Sequence, residues 1–465
     1  MSNRNLLCFD ISSGGVSATL FTHQLEVIRT AEAEWEPSTL SLQNVVSRFK
    51  DSIRALNLAS SDNVDAICIG TFMHNCVLLD ASGEPLTPVF TWLDRRGDTG
   101  LEYVRSRLGD RFHEMTGCRY HPMFPVFKLA MLRLAAPKEL FQATREIVSI
   151  KALLINRLTG TTVEDRGMAS ASGLFNVKDG DWDAEILSLI GIERSQLPPL
   201  VDRNEIVGSV TSRAASEFGL GKGTLVVAGS GDGFLANVGS GCEDPTKIAV
   251  TLGTSAVARQ ALLQPVLNHS SGTFCYDDGI RYLLGCAGSN GGNVLDWGRH
   301  IFGNTDDSEV SEDIPIFIPL LHGERSPEWD PLLRASWHGL TAQHTAADLS
   351  RSILEGVIFN LAHFIEIVTM TSGEAAARIV LSGNGFLNPL AAPMLAAVAG
   401  IPTDLPRVPG LMSLRGAAIC ALRALALPVP PLHLDEVSPL KQPRLLERYH
   451  SYRRLRASAG ASIRS

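Results

Sequence analysis

An excess of positive charge is the first thing this chain lacks. Its 465 residues hold 41 Lys plus Arg against 49 Asp plus Glu, a formal net charge of −8. A nucleic-acid partner, which needs a basic face or stripe, is therefore not expected. Charge of either sign is scarce as well. Charged residues are 19% of the chain and hydrophobic ones 45%, where ordinary soluble domains carry about 25% charged. That balance predicts large buried sheets and excludes general disorder. Long apolar runs are also missing. No stretch reaches the roughly 18 consecutive apolar residues of a membrane span, so no membrane partner is expected. The opening Met1-Ser2-Asn3-Arg4-Asn5 leads into only Leu6–Phe9 before Asp10, too short for the apolar region of a signal peptide. The eight cysteines (8, 68, 76, 118, 242, 275, 286, 420) form no Cys-x-x-Cys pair and have no His at zinc-ligand spacing. Reduced, buried thiols in a cytoplasmic protein are the expectation.

What is present alternates between strand and helix. Leu6–Phe9 is an apolar strand stopped by the turn Asp10-Ile11-Ser12-Ser13-Gly14-Gly15, and Val16–Phe21 alternates like the return strand of a hairpin. Val64–Gly70 and Val77–Asp80 read as strands, the latter followed by the turn Ala81–Glu84. Phe127–Ala136 and Glu146–Leu158 carry helical periodicity. This order predicts an α/β architecture with both sheet faces covered. Lys247–Thr251, ending in Leu252-Gly253-Thr254-Ser255, repeats the opening pattern of apolar strand and small-residue turn. An internal duplication follows, with domains at 1–244 and 245–430. The remainder, 431–465, is Pro-rich and then basic (Arg444, Arg448, Arg453, Arg454, Arg456). A surface helix with a frayed end is expected there.

Two strand–turn–strand loops bearing glycines and hydroxyls suit phosphate, because tight turns gather backbone N–H groups into one concavity. Asp10, ending the first strand, suits Mg²⁺, which prefers carboxylate, water and phosphate oxygens. Asp232, between glycines in Gly231-Asp232-Gly233, can be approached closely by a ligand and suits a general base; an ordinary turn aspartate reads the same way. Trp92, Asp94 and Arg96 lie side by side, as in sugar pockets, where an aromatic face covers C–H groups and charged groups bond hydroxyls. Each taken alone is more often core or a surface pair. His74 alone reads as a satisfied buried histidine.

The segment Ala335–Glu355 reads Ala-Ser-Trp-His-Gly-Leu, seven residues, then Asp-Leu-x-x-Ser-Ile-Leu-Glu, and it resembles the C-terminal signature of the FGGY carbohydrate kinases. Met123-x-Pro125-x-x-Lys128-Leu129 is similar to that family's N-terminal signature, with Met131 in place of its usual Trp. Gly70–His74, Trp92-x-Asp94-x-Arg96, Gly231-Asp232-Gly233, Leu252–Ser255, Gly291-Gly292, Gly323–Asp330 and Leu381–Asn384 follow in family order. The resemblance covers roughly 6–425. It implies two actin-like (ribonuclease H-like) domains closing on a central cleft, and ATP-dependent phosphorylation of a small sugar, polyol or sugar acid. By position, Asp232 is the catalytic base. Met73, His74, Trp92, Asp94 and Arg96 lie at the sugar. Ser12, Ser13, Gly253 and Thr254 hold phosphates, Gly383 and Asn388 lie near the adenosine, and Asp10 sits near Mg²⁺. The gluconate-kinase and xylulokinase branches look most similar.

The chain departs from the family's first phosphate loop, usually Asp-x-Gly-Thr with a cation a few residues on. Here Ser12 replaces the glycine and Ser17 takes the basic position. Losing one charge-assisted phosphate contact costs about 1.5–3 kcal/mol. Asn384 stands where a second glycine is common. These departures leave a second reading, a sugar- or nucleotide-sensing protein that kept the fold and lost efficient chemistry. An actin-like filament or chaperone ATPase would leave the sugar-side motifs without purpose. A homodimer is the default assembly.

Overall fold

The computed structural model describes residues 4–35, 40–59, 62–303, 310–442 and 444–461, so Met1–Asn3 of the opening segment fall outside it. The chain forms two compact units that interlace in sequence. The first takes residues up to Gly241 together with Cys275–Leu283 and Met412–Pro431; the second takes Cys242–Phe274, Leu284–Leu411 and the chain from Leu432. A linear division at 244 and 430 makes no provision for the two returning segments.

In the first unit the strands are β1 (Asn5–Ile11), β2 (Gly15–Thr22), β3 (Val27–Glu34), β4 (Val64–Thr71), β5 (Ile206–Ser209) and β6 (Leu225–Val227), in sheet order β5-β6-β4-β1-β2-β3. β1 and β2 form the expected hairpin, while β1–β4 and β4–β6 are parallel. The second unit has β7 (Lys247–Leu252), β8 (Ala256–Leu262), β9 (Tyr282–Ala287), β10 (Arg378–Ser382), β11 (Thr403–Pro406) and β12 (Leu434–Glu436). Its sheet contains the order β9-β8-β7-β10-β11-β12. β7–β8 is antiparallel, β7–β10 and β10–β11 are parallel, and β11–β12 is antiparallel. These four steps match their counterparts in the first sheet, where β1–β2 and β5–β6 are antiparallel and β1–β4 and β4–β6 parallel, so the short repeated motif is the visible part of a duplicated fold.

Helices used below are α1 (Leu42–Ala55), α2 (Pro125–Ala135), α3 (Ile150–Thr159), α4 (Asp232–Gly239), α5 (Gly292–Phe302), α6 (Ala346–Ser372), α7 (Met412–Ala424) and α8 (Leu445–Ala461). α1 and α3 cover one face of the first sheet, with Phe9, Phe49, Ile69 and Leu154 in a single core. α4 and α7 cross closely: a Cβ on Gly239 would lie 1.9 Å from Met412 O, and one on Gly416 1.9 Å from Leu235 O. Only glycine permits that approach. α6 is, among the described helices, the one long and apolar enough to cross a membrane, yet most of it is buried inside the second unit.

One sequence expectation is corrected and another narrowed. Glu146–Leu158 is not one helix. Glu146–Val148 pairs antiparallel with Val77–Leu79, and the helix starts only at Ile150, where Ser149 accepts a hydrogen bond from Ala152 N. The N-cap serine and the β-branched Ile147-Val148 outweigh the apolar periodicity. α8 is a surface helix on one face only: Leu446, Glu447, His450, Arg453 and Arg454 are exposed, but the opposite face is buried. Arg448 and Arg456 are 8% and 2% exposed, Tyr452 is buried, and Arg448 makes a bidentate pair with Glu355 of α6. Arg448 and Arg456 are thus neutralised by acids instead of solvated, while Arg444, Arg453 and Arg454 are exposed as expected. All eight cysteines are buried and outside any disulfide, as expected.

Candidate active site

In an open α/β sheet, ligands gather beyond the carboxyl ends of parallel strands. In the first unit β1, β4 and β6 end side by side. Phe72 N donates to Ile11 O at 2.7 Å, and Thr71 bridges Gly231 in parallel register. Three loops meet there, carrying Asp10, Met73-His74 and Asp232. The Met73 side chain packs on Gly231, whose added Cβ would stand 2.6 Å from Met73 Cγ.

Asp232 is the first residue of α4, and the Gly233 N–H donates to its Oδ1 at 2.7 Å. Its neighbour in charge is Asp10. Withdrawal from water raises the Asp10 carboxyl to about 7, the Asp232 charge adds to this, and a hydrogen bond with Ser413 opposes it. Asp10 Oδ1 is out of solvent with no hydrogen-bond partner. Ser413, on α7, also donates to Asp232 O at 3.3 Å. It comes from a segment about 400 residues away from Asp10, and no motif announced it.

Ser12 and Ser13 form the β1–β2 turn. No residue from Ser12 to Gly15 has a positive φ, so serine at position 12 is accommodated without strain. The Ser12 hydroxyl accepts from Gly14 N at 3.1 Å. Gly15 is required by β3, since its Cβ would stand 2.7 Å from Ala33 O. Ser17 lies opposite Asp10 in the ladder, on the same sheet face.

His74 has φ +62° and is 7% exposed, with its Nδ1 2.6 Å from Ala171 O. That carbonyl only accepts, so Nδ1 carries the proton. The ring meets Phe124 and Tyr276 edge-on. Trp92 packs against the core of the first unit. Asp94 and Arg96 are paired with each other through bonds of 2.5–3.0 Å. Burial opposes ionisation of Asp94, but Arg96 holds its carboxyl below the usual range. Buried Lys128 of α2 donates to Thr91 O at 2.5 Å and Met123 O at 2.8 Å, tying this loop to the segment before α2.

Behind the Gly229–Asp232 turn lies a network that the sequence did not disclose. Lys151 Nζ, fully buried, stands 2.8 Å from Asp165 and 3.4 Å from Glu164, and donates to Ala228 O at 3.2 Å. Ser230 Oγ–H donates to Asp165 Oδ2 at 2.5 Å. Burial pushes the Glu164 carboxyl up, and the Lys151 charge opposes it.

In the second unit the equivalent strand ends are those of β7 and β10. Gly253 O accepts from Gly292 N at 2.8 Å and Thr254 O from Asn293 N at 3.2 Å, so the first amides of α5 fix the turn. Thr254 is exposed. Gly383 follows β10 at φ +92°, and an added Cβ would stand 2.4 Å from Leu252 O. Gly383 and the Gly253–Thr254 turn are thus adjacent. Asn384 fits because Gly410 lacks a Cβ, which would come 2.2 Å from its Oδ1. Asn388 is exposed, and its Oδ1 accepts from Leu390 N. Among the described residues no three His, Cys, Asp or Glu are grouped to hold a metal ion.

Residues 7–239 match the N-terminal domain and residues 248–425 the C-terminal domain of the FGGY family of carbohydrate kinases. A gluconokinase of Bacillus subtilis (strain 168) is 29% identical over 408 residues, covering 81% of this chain and 79% of that protein. A xylulose kinase of Escherichia coli (strain K12) is 28% identical over 419 residues, 85% of each. A crystal structure of gluconate kinase from Lactobacillus acidophilus superposes with a TM-score of 0.90 at 24% identity, covering 99% of both chains.

Proposed function

Because the chain belongs to the FGGY family of carbohydrate kinases, using ATP to phosphorylate a sugar or sugar acid, we propose that its acceptor is of the gluconate or xylulose type and that Asp232 is its general base. The observation that supports this most is the convergence of Asp232 with Asp10 beyond β1, where the Asp10 Oδ1 is buried without a partner. Two carboxylates so placed repel each other, and a divalent cation would relieve that repulsion. The donor set fits Mg²⁺, with Asp10 as the residue to hold it through its water shell. When bound, Mg²⁺ neutralises charge on the transferring phosphates.

The remaining work falls to the chain. Asp232 accepts the proton of the acceptor hydroxyl as its oxygen attacks the γ-phosphorus, and the bond from that phosphorus to the β–γ bridging oxygen breaks to release ADP. The Gly233 N–H and the start of α4 stabilise negative charge on that carboxylate. Met73, His74, Trp92, Asp94 and Arg96 orient the acceptor, with the two rings of His74 and Trp92 offering apolar faces. Ser12 and Ser13 in the first unit, and Gly253 and Thr254 in the second, hold phosphate oxygens, while Gly383 and Asn388 border the adenosine. We place the protein in the cytoplasm. The test is a coupled ADP-release assay on D-gluconate and D-xylulose. Asp232→Asn should lower kcat by about 10²–10⁴ with an unchanged melting temperature. Turnover within threefold of wild type refutes the assignment.

A further inference from the structure

The phosphate-binding turn of the second unit has no side chain of its own inside the protein to hold it. Its carbonyls are held by Gly292 N and Asn293 N, so its position depends on what fixes Ser289–Asn293. Asn293 closes that segment on itself, accepting from Gly291 N at 2.8 Å and donating to Ser289 O at 3.0 Å. The anchor beneath it is Glu324, 2% exposed. Glu324 Oε1 accepts from Ser289 N at 2.6 Å and from Arg325 N at 2.9 Å, and Oε2 accepts from Asn360 Nδ2 at 3.0 Å. Asn290 adds a second tie, donating to Gly323 O at 2.7 Å and accepting from His322 N at 3.1 Å.

A buried carboxylate with neutral donors alone would be costly. The compensating cation comes from α8. Arg456, also 2% exposed, stands 3.9 Å from Glu324 Oε2 and pairs with Glu328 at 2.8 Å. Tyr452, one turn earlier, donates to Asn360 Oδ1 at 3.0 Å, which orients the Asn360 amide toward Glu324. The last helix is thereby joined to the turn by a continuous chain: Arg456, Glu324, Ser289, then Asn293 and Gly292, then Thr254 and Gly253.

We propose that Glu324 and Arg456 are positioning residues for ATP, setting the Gly253–Thr254 turn from beneath while touching neither substrate. The idea rests on the reading that this turn holds ATP phosphates. Its signature is selective: disturbing the pair raises the KM for ATP and leaves the KM for the sugar alone, because the acceptor residues belong to the first unit.

The experiment measures both KM values, kcat and melting temperature for full-length Glu324→Gln, Arg456→Gln, Arg456→Lys and Thr254→Val, with Mg·ATP and whichever of D-gluconate or D-xylulose is turned over. Glu324→Gln and Arg456→Gln should raise the ATP KM about tenfold, with the sugar KM within twofold, and Arg456→Lys should recover most of the loss. Thr254→Val should raise the ATP KM as well. If Thr254→Val does so while Glu324→Gln and Arg456→Gln lower only the melting temperature, the pair is structural and the positioning role is overturned. If Thr254→Val leaves the ATP KM unchanged, the phosphate reading fails and the proposal falls with it. Should Arg456→Gln not fold, the near-isosteric Glu324→Gln decides the matter by the same split.

Discussion

Replacing Lys151 by methionine tests the network behind the Asp232 turn. Lys151 is fully buried, with two carboxylates within 3.4 Å and a backbone carbonyl at 3.2 Å. Methionine fills nearly the same volume, so the loss is one of charge. It leaves Glu164 and Asp165, 4% and 0% exposed, without their cation. Breaking a buried pair by removing one partner costs about 3–5 kcal/mol, and for a unit of this size each kcal/mol lowers the melting temperature by about 2–4 °C. Lys151→Met should therefore melt roughly 6–20 °C below wild type at pH 8. The penalty also has a sign in pH. Burial already pushes the Glu164 carboxyl up and the Lys151 charge opposes it; without that cation its folded pKa lies further above its unfolded one, so the native state binds more protons, and stability falls as pH rises above the unfolded value near 4. The gap to wild type should accordingly narrow at pH 5. The double variant Lys151→Met with Glu164→Gln should recover part of the loss, because it removes one orphaned charge. Scanning calorimetry at both pH values reads all three quantities. A single variant melting within 2 °C of wild type at pH 8, or a double variant no better than the single, refutes the reasoning.

Burial holds the Lys128 ammonium down at about 8, against the usual 10.5. Between those values the unfolded chain binds the proton that the native one has released, so stability should rise with pH across the window, by about 2–3 kcal/mol. Urea midpoints for wild type and Lys128→Met at pH 7.5 and 10 check this, and a difference independent of pH contradicts it. Ser17→Lys places a cation opposite Asp10 on the same sheet face and should lower the ATP KM about tenfold. An unchanged or raised ATP KM would mean that the missing charge is immaterial here.

Legibility followed the range of the interactions. The β1–β2 hairpin, its repeat at β7–β8 and the Asp232 turn were readable because strand alternation and glycine punctuation are local. Glu146–Val148 looks helical in sequence because its partner strand lies some 70 residues upstream, where periodicity cannot see it. Ser413 and Lys151 belong to no motif, and Glu324 lies within the Gly323–Asp330 match with no role that the sequence assigns it. Each matters through a partner far off in sequence, and buried polar groups are defined by what they meet. The buried face of the basic tail is hidden from the sequence for the same reason: Arg448 and Arg456 look solvated, like the exposed Arg444, Arg453 and Arg454, until Glu355, Glu324 and Glu328 are placed against them.

The return of Met412–Pro431 to the first unit constrains how the molecule can be made. While the ribosome has released only the first 241 residues, the Leu235–Gly239 face of α4 has nothing to close against, since Met412 and Gly416 are still unsynthesised. The amino-terminal half must wait, partly open, for almost the entire polypeptide to emerge. A gene cut at the apparent midpoint would then give an aggregating fragment, whereas adding α7 as a separate peptide should restore a soluble body.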